Sequence, residues 1–465
     1  MKKTWLRVLI MLVVSCGLIV GCTSNSMRPS KTEEQQEKIT LKVISPNSEL
    51  FYKQYGDWYT TLHENIQFEV ISDADIYKDM GDKTKEEVYK DFITKEQPDI
   101  LLLDETQFKH QIKQGKLSDL SSLSTRDNYK LDGFVSGLVD QLRELGGGEL
   151  YGLTPSFSSK ALFYNKDMFK KYGLAFPTDG MSWYDIIELA RQFPTGGEKQ
   201  QQVYGYSSGE IYELPMDLVT LIDKMSQTEG LSIVNTDQMQ VTIDTETWKK
   251  LIQAAIQADQ SGAIFNSMDD LFTSGTKEEF VHSQPFLMGH AAMRIGSVTS
   301  IGLMEHLKKD LNNDTAFELG IAAGPVDPLD PTSTFVTLGD IFAINAESIH
   351  QEPAWEFIKY VCGEEYAEAS SKSTELLLGQ QLLLSRTGFM KEYQGVSLEP
   401  FYKLNAKLLK RSSGWGKLPD SFFNDFATIL GRKLELVKKG QKSLDEALAA
   451  VKSEAQTILN QAVKK

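Results

Sequence analysis

The chain has 465 residues, a formal net charge of −15 and 41% hydrophobic residues. That is enough apolar material for real cores, and the length fits two or three domains. So acidic a body excludes nucleic acid as a partner, whose binders need basic patches, and disfavours direct adhesion to anionic lipid.

Lys2, Lys3 and Arg7 form a positive start, followed by an apolar run from Val8 to Val20 interrupted only by Ser15, Cys16 and Gly17. A permanent bilayer span needs roughly 20 apolar residues, so this run reads as a secretory signal over residues 1–21. Its end, Ile19-Val20-Gly21-Cys22, resembles a lipoprotein lipobox. The resemblance implies that the Cys22 thiol receives a diacylglycerol, which would anchor the chain to the extracellular face of the cell membrane. An ordinary signal peptide with a chance cysteine is the alternative. Residues 22–38 are polar, with almost nothing to bury, and read as a flexible tether. About 15 such residues reach roughly 20 Å. Of the three cysteines, Cys16 leaves with the signal and Cys22 carries lipid. Cys362 is then alone, follows an apolar stretch, and is expected as a buried free thiol without a disulfide.

Ile39 to Ile44 alternates apolar and polar residues, as a strand does. A helical stretch from Leu50 to His63 follows, then a second alternating strand, Ile66 to Ile71, and a charged helix from Lys83 to Thr94. Pro98-Asp99 leads into Ile100-Leu101-Leu102-Leu103, a continuous apolar run of the kind buried on both faces of a parallel sheet. Two consecutive β-α-β units predict an open α/β sheet. Ligands bind beyond the carboxyl ends of such strands, here Pro46-Asn47-Ser48, Ser72-Asp73 and Asp104-Glu105-Thr106.

From residue 150 onward the motifs become more specific. Leu150-Tyr151-Gly152-Leu153-Thr154-Pro155 is followed by Ala161-Leu162-Phe163-Tyr164-Asn165-Lys166-Asp167-Met168-Phe169, then by Tyr172-Gly173-Leu174, Pro177 and Ser182-Trp183-Tyr184-Asp185. Ser182 is placed to cap the helix it precedes. Further on come Met288 to Ser297, Gly320 to Pro325, Phe335 to Asn345 and Ala354 to Ile358. A final helix opens with a capping box from Ser443 to Glu446. Its stripe of Leu444, Leu448, Val451, Ala455, Ile458, Leu459 and Ala462 has helical spacing. In this order, the pieces resemble the bacterial extracellular solute-binding protein family that includes maltose-binding protein. The resemblance covers nearly all of the mature chain.

The resemblance implies a two-lobed periplasmic-binding-protein-like α/β fold, each lobe an open, mostly parallel sheet flanked by helices, with a ligand cleft between them. It implies chain crossings near residues 152–155, 324–327 and 362–373. Lobe one is then 39–152 with 327–362, and lobe two 153–326 with 363–465. It also implies a monomeric receptor that delivers a small-molecule solute, a saccharide by the family's habit, to the membrane permease subunits of an ABC importer. A sensor system, or a peptide or polyamine ligand, is the alternative. Closure of two lobes around a solute uses hinge segments that absorb the dihedral change. Candidate ligand-binding residues are Asn47, Asp73, Asp104, Glu105, Ser158, Glu210, Tyr212, Ser297, Asp340, Trp415 and Phe422. The aromatics among them could cover a sugar face, and the polar groups could bind its hydroxyls. Maltose-binding protein carries a Trp after each of two strands, where this chain has Leu103 and Ser297-Val298-Thr299, a departure that counts against maltodextrin. Trp183, Trp248 and Trp355 lie on helices and read as core, as does Trp58.

Enzyme signatures are weaker. Gly205-Tyr206-Ser207-Ser208-Gly209 matches the hydrolase pattern G-x-S-x-G, which needs a strand–elbow–helix setting with a partnered histidine and carboxylate. The six histidines are scattered without metal-ligand spacing. Asp73, Asp75, Asp79 and Asp82 only loosely match a calcium loop, with Tyr77 at a ligand position. No phosphate-binding glycine loop is present. No cofactor, metal or catalytic residue is expected, and a lipoprotein hydrolase is the alternative class.

Overall fold

The computed structural model describes residues 37–78, 80–81, 83–195, 202–207, 217–265, 284–310, 317–372, 381–408, 418 and 421–462. The chain opens with β1 (Ile39–Ser45), in which Leu41, Val43 and Ile44 are wholly buried. Asn47 then caps helix α1, its Oδ1 accepting from the Leu50 amide at 2.9 Å. Helix α1 begins as Ser48–Phe51, widens into a π-helical turn at Tyr52–Gly56, and ends as Asp57–Leu62. Gly56 lets the rings of Phe51 and Tyr52 pack close to the backbone of this turn, because a Cβ there would lie 3.0 Å from both.

β2 (Ile66–Ser72), helix α2 (Lys85–Glu96), β3 (Ile100–Leu103) and helix α3 (Glu105–Lys113) follow. β2 and β3 both run parallel to β1, with Ile39 opposite Ile66 and Val43 opposite Ile100. All four residues of β3 are buried, as a continuous apolar run between two helical layers requires.

β4 (Ser156–Asn165) is the long strand of the second sheet, and leads into helix α4 (Lys166–Tyr172) under an Asn165 cap. Helix α5 (Trp183–Ala190) starts at a capping box between Ser182 and Asp185. Next come β5 (Tyr204–Ser207), helix α6 (Leu218–Thr228), the hairpin β6 (Val234–Asn235) and β7 (Gln240–Val241), helix α7 (Glu246–Gln260) and β8 (Ile264–Phe265). β9 (Ala291–Ser297), β10 (Leu319–Ala323), β11 (Ser333–Leu338) and β12 (Ile341–Ile344) lead to helices α8 (Gln351–Val361) and α9 (Glu364–Ser371). The remaining strands are β13 (Leu383–Leu384), the hairpin β14 (Glu392–Tyr393) and β15 (Val396–Ser397), and β16 (Asn405–Lys407). Helices α10 (Phe422–Lys438) and α11 (Leu444–Ala462) close the chain and pack on each other.

The first sheet has the order β12-β3-β1-β2, with β12 antiparallel on its edge. The second runs β16-β11-β4-β9-β5-β8, with β10 and β13 also on β4. The first half of β4 pairs with β11 and β13, and the second half with β9 and β10. Side chains alternate across β4: Phe157, Ala161 and Phe163 enter one core, Leu162 and Tyr164 the other. The first core gathers β1, β3, β12 and α8; the second gathers α5, α6, α7, α10 and α11.

Tyr366 and Ala367 of α9 also pack into the first core, Tyr366 lying 5.6 Å from the Tyr55 ring. The chain therefore stays with the first body a few residues beyond 362, because a buried aromatic ties α9 to α1. Trp183, Trp248 and Trp355 are buried, as read from their helical positions, and Trp58 is half-buried beside Tyr366. Cys362 is a buried free thiol, and burial pushes its pKa up.

Candidate solute cleft

The strand order β2-β1-β3 reverses direction at β1. In an open α/β sheet the crevice then lies beyond the carboxyl ends of β1 and β3. Asn47 follows the first of these strands and Asp104 the second. β12 starts at the same edge, since Ile341 pairs with Leu103. Asp340 immediately precedes β12, while Leu338, two residues earlier, pairs with Phe157 in the second sheet. The Gly339 amide donates to the Ser156 carbonyl at 2.9 Å. Asp340 thus sits where the two sheets join.

Polar contacts knit this edge together. The Ser72 hydroxyl donates to the Pro46 carbonyl at 3.1 Å, and the Asp73 amide to the Ser45 carbonyl at 3.4 Å. Asp104 caps α3, its Oδ1 accepting from the Gln107 amide at 2.7 Å, while Gln107 Oε1 accepts from the Asp104 amide at 3.0 Å. The Gln107 side-chain amide also donates to Asp73 Oδ2 at 3.4 Å. Glu105 pairs with Lys109 at 2.5 Å.

The electrostatics of the edge are unusual. Asp73 is 5% exposed, and burial raises its carboxyl pKa; the Asp104 charge adds to this and the Gln107 hydrogen bond opposes it. Asp340 is pushed up to about 6, first by burial and then by the Asp73 charge. Tyr77 and Tyr89 are raised by burial and by the charges of Asp73 and Asp104, with Gln107 working against the rise at Tyr77.

The other sequence candidates fall in different places. Ser158 is partly buried in β4 opposite Thr337. Ser297 ends β9, is fully buried, and its hydroxyl lies 2.8 Å from that of Thr299. Phe422 corrects an expectation: it is 0% exposed in the second core, edge-on to Phe423 and stacked on Phe426. It starts a helix whose apolar face turns inward, so its ring does not reach the crevice. Glu210, Tyr212 and Trp415 lie outside the described residues, as do Asp79 and Asp82 of the acidic loop. Asp75 of that loop pairs with Lys78 at 2.6 Å. Ser207 of the hydrolase-like pattern is the buried last residue of β5, opposite Phe265, and Ser208 and Gly209 lie outside the described residues. Among the described residues, no group of three or more His, Cys, Asp or Glu is placed to hold a metal, and no helix is long and apolar enough to cross a membrane.

Gln107, Tyr77, Tyr89 and Ser156 belong to this edge and do not stand out in the sequence as site residues. Only Gln107 leaves a signal there, as the third residue after a capping aspartate.

Two α/β lobes meeting at a polar crevice define a solute-binding protein of the periplasmic type. Residues 54–377 match the family described as bacterial extracellular solute-binding protein, and the chain belongs to that family. The arabinooligosaccharide-binding protein of Bacillus subtilis (strain 168) is 23% identical over 247 residues, 49% of this chain and 48% of its own. The chain thus spans about half the length of that relative. A sugar transporter from Rhizobium etli, solved in an open conformation, has a TM-score of 0.62 at 21% identity, over 90% of this chain and 100% of its own. The sugar-binding protein MalE from the phytopathogen Xanthomonas citri has a TM-score of 0.61 at 14% identity, over 91% and 98%.

Proposed function

We propose that this protein is the external, lipid-anchored receptor that captures a saccharide and presents it to the permease of an ABC importer, without turning it over. The observation that carries the reading is the polar crevice where the two sheets join, in a chain whose relatives include an arabinooligosaccharide-binding protein. Asn47, Asp73, Asp104, Asp340 and Ser158 line the solute path from the first sheet and the crossing strand. Glu210, Tyr212 and Trp415 are the sequence's candidates for the opposing wall. Closure draws its energy only from contacts better made in the closed form. The lobes divide near residues 152–155, at residues 339–340 rather than the expected 324–327 because β11 pairs in the second sheet and β12 in the first, and after α9. Anchoring through Cys22 rests on the lipobox.

A thermal-shift screen against a carbohydrate library tests this function. A solute at 100-fold its Kd adds about 2.7 kcal/mol of stability, so a true ligand raises Tm clearly. A library without a single hit, beside a hit among peptides, would replace the saccharide reading. For the anchor, Cys22→Ala should release the protein from membranes or leave its signal uncleaved; unchanged membrane fractionation at the same mature mass refutes the lipid.

A further inference from the structure

The strands at the junction of the two sheets have one face left over. β16, β11 and β4 lie side by side, with Phe335 opposite Lys407 and Thr337 opposite Ser158. Residues paired across strands share a face, and neighbours along a strand alternate. One face holds Phe157, Ser159, Val336 and Ala406, all buried on the side of the first core. The other holds Ser156, Ser158, Phe335, Thr337 and Lys407. Thr337 is exposed there, and Ser158, Phe335 and Lys407 are half-buried. Further along β4, Leu162 and Tyr164 return that face to the second core.

Phe335 is the informative residue. A phenyl ring ordinarily contributes its area to a core. Among the described residues this ring packs into neither core, and its neighbour is the Lys407 ammonium, 5.5 Å from the ring centre. That ammonium donates to Asp330 Oδ2 at 3.2 Å, so the pair carries no net charge. Lys160, the next residue of this face on β4, has a partner of its own. Ser156 points to the same face independently. It is 1% exposed, its hydroxyl finds no hydrogen-bond partner among the described residues, and it lies so close to Gly339 that a side chain there would run into it. A buried hydroxyl left unpaired has its hydrogen bond still to make.

The chemistry that completes this face is specific. A carboxylate on the solute would lie against Asp330 and an ammonium against Lys407, each breaking a satisfied pair. A wholly apolar solute would strip water from the hydroxyls and return no hydrogen bond. A neutral sugar ring offers an apolar C–H face and a rim of hydroxyls that both donate and accept. Resting on the reading of this chain as a saccharide receptor, we propose that Phe335 is the stacking platform of the site. It bears the C–H face of a neutral sugar ring, while Ser156, Ser158, Thr337 and the Lys407–Asp330 pair meet the hydroxyl rim.

Calorimetry on the full chain tests this with maltotetraose, cellotetraose, xylotetraose and the anionic tetragalacturonate. Phe335→Ala and Phe335→Leu should each weaken the tightest-bound neutral tetramer by roughly ten- to a hundredfold, since leucine restores bulk without a flat face. Phe335→Tyr keeps the face and should stay within about threefold of the wild type. A circular-dichroism melt confirms that each variant folds. A Phe335→Ala or Phe335→Leu variant that binds the neutral tetramer unchanged overturns the platform and leaves the saccharide receptor standing. Tetragalacturonate binding ahead of all three neutral tetramers overturns the neutral ring. Silence from every tetramer overturns the platform together with the saccharide reading.

Discussion

Two sets of buried or half-buried acids in the first lobe behave in opposite ways. At the outer junction, Asp127 accepts from Arg126 Nε at 2.7 Å, Lys359 Nζ at 2.7 Å and the Trp355 indole at 2.8 Å. Arg126 first, then Lys359 and Trp355, hold its carboxyl well below the usual range. At the crevice, burial and Asp73 push Asp340 up instead. Neighbours make the difference, since the residue type is the same. The first site is complete within the chain and clamps α8 to the helix Leu120–Arg126. The second keeps its acceptor capacity unspent, which a structural clamp would not do.

The largest effect should come from breaking the completed site. Trp355 is wholly buried and joins the first core to Asp127. Trp355→Ala removes that packing and should cost about 3–5 kcal/mol, read as a fall in the urea midpoint with an unchanged slope. Trp355→Phe, which keeps most of the volume but loses the indole donor, should cost less. Solute affinity of the folded fraction should not move in either. Lost affinity with intact stability would mean that this junction serves the crevice after all.

Asp340→Asn sharpens the contrast by sign. A carboxyl with a raised folded pKa holds its proton better folded than unfolded. Its contribution to stability therefore declines as pH rises from the ordinary value of 3.8 to about 6, and stays lost above that. Removing the charge should raise the stability of the ligand-free protein at about pH 8 by about 1–3 kcal/mol, allowing for partial solvent screening, and by almost nothing at about pH 4. Asp127→Asn should do the reverse. Its folded pKa is depressed, so it stabilises above the usual carboxylate range and loses that contribution as pH falls. Melting curves across pH that ran in the same direction for both variants would erase the distinction.

Much of the first lobe is legible in the amino-acid sequence. β1, β2 and β3 fall within a residue or two of the alternating and continuous apolar runs, because burial on one face or two imposes those patterns directly. The helix after β1 is legible too, but its π-helical turn is not: one extra residue per turn leaves no periodic trace beyond Gly56. Phe422 is a candidate in the sequence only as an aromatic that could cover a sugar face, whereas its stacking on Phe426, one helical turn on, ties it to the inward face of α10. The polar edge stays hidden because Asp73, Asp104 and Asp340 are distant in sequence and come to one edge of the first sheet only through its topology.

Asp104 offers the finest test, since it belongs partly to each side of the comparison. As the cap of α3 it is satisfied, its carboxylate accepting from the Gln107 amide. As part of the crevice edge, it adds negative charge to Asp73. Asp104→Ala removes both roles and should cost about 0.5–2 kcal/mol of stability through the lost cap. Asp104→Asn separates them, because asparagine caps nearly as well but carries no charge. That variant should melt within a few tenths of a kcal/mol of the wild type. If Asp104 serves the solute through its charge, Asp104→Asn should still bind roughly tenfold more weakly. If it serves only the helix, the asparagine variant will bind as the wild type does, and only the alanine variant will lose stability. Measuring Tm and Kd for both variants assigns this residue to one side or to both.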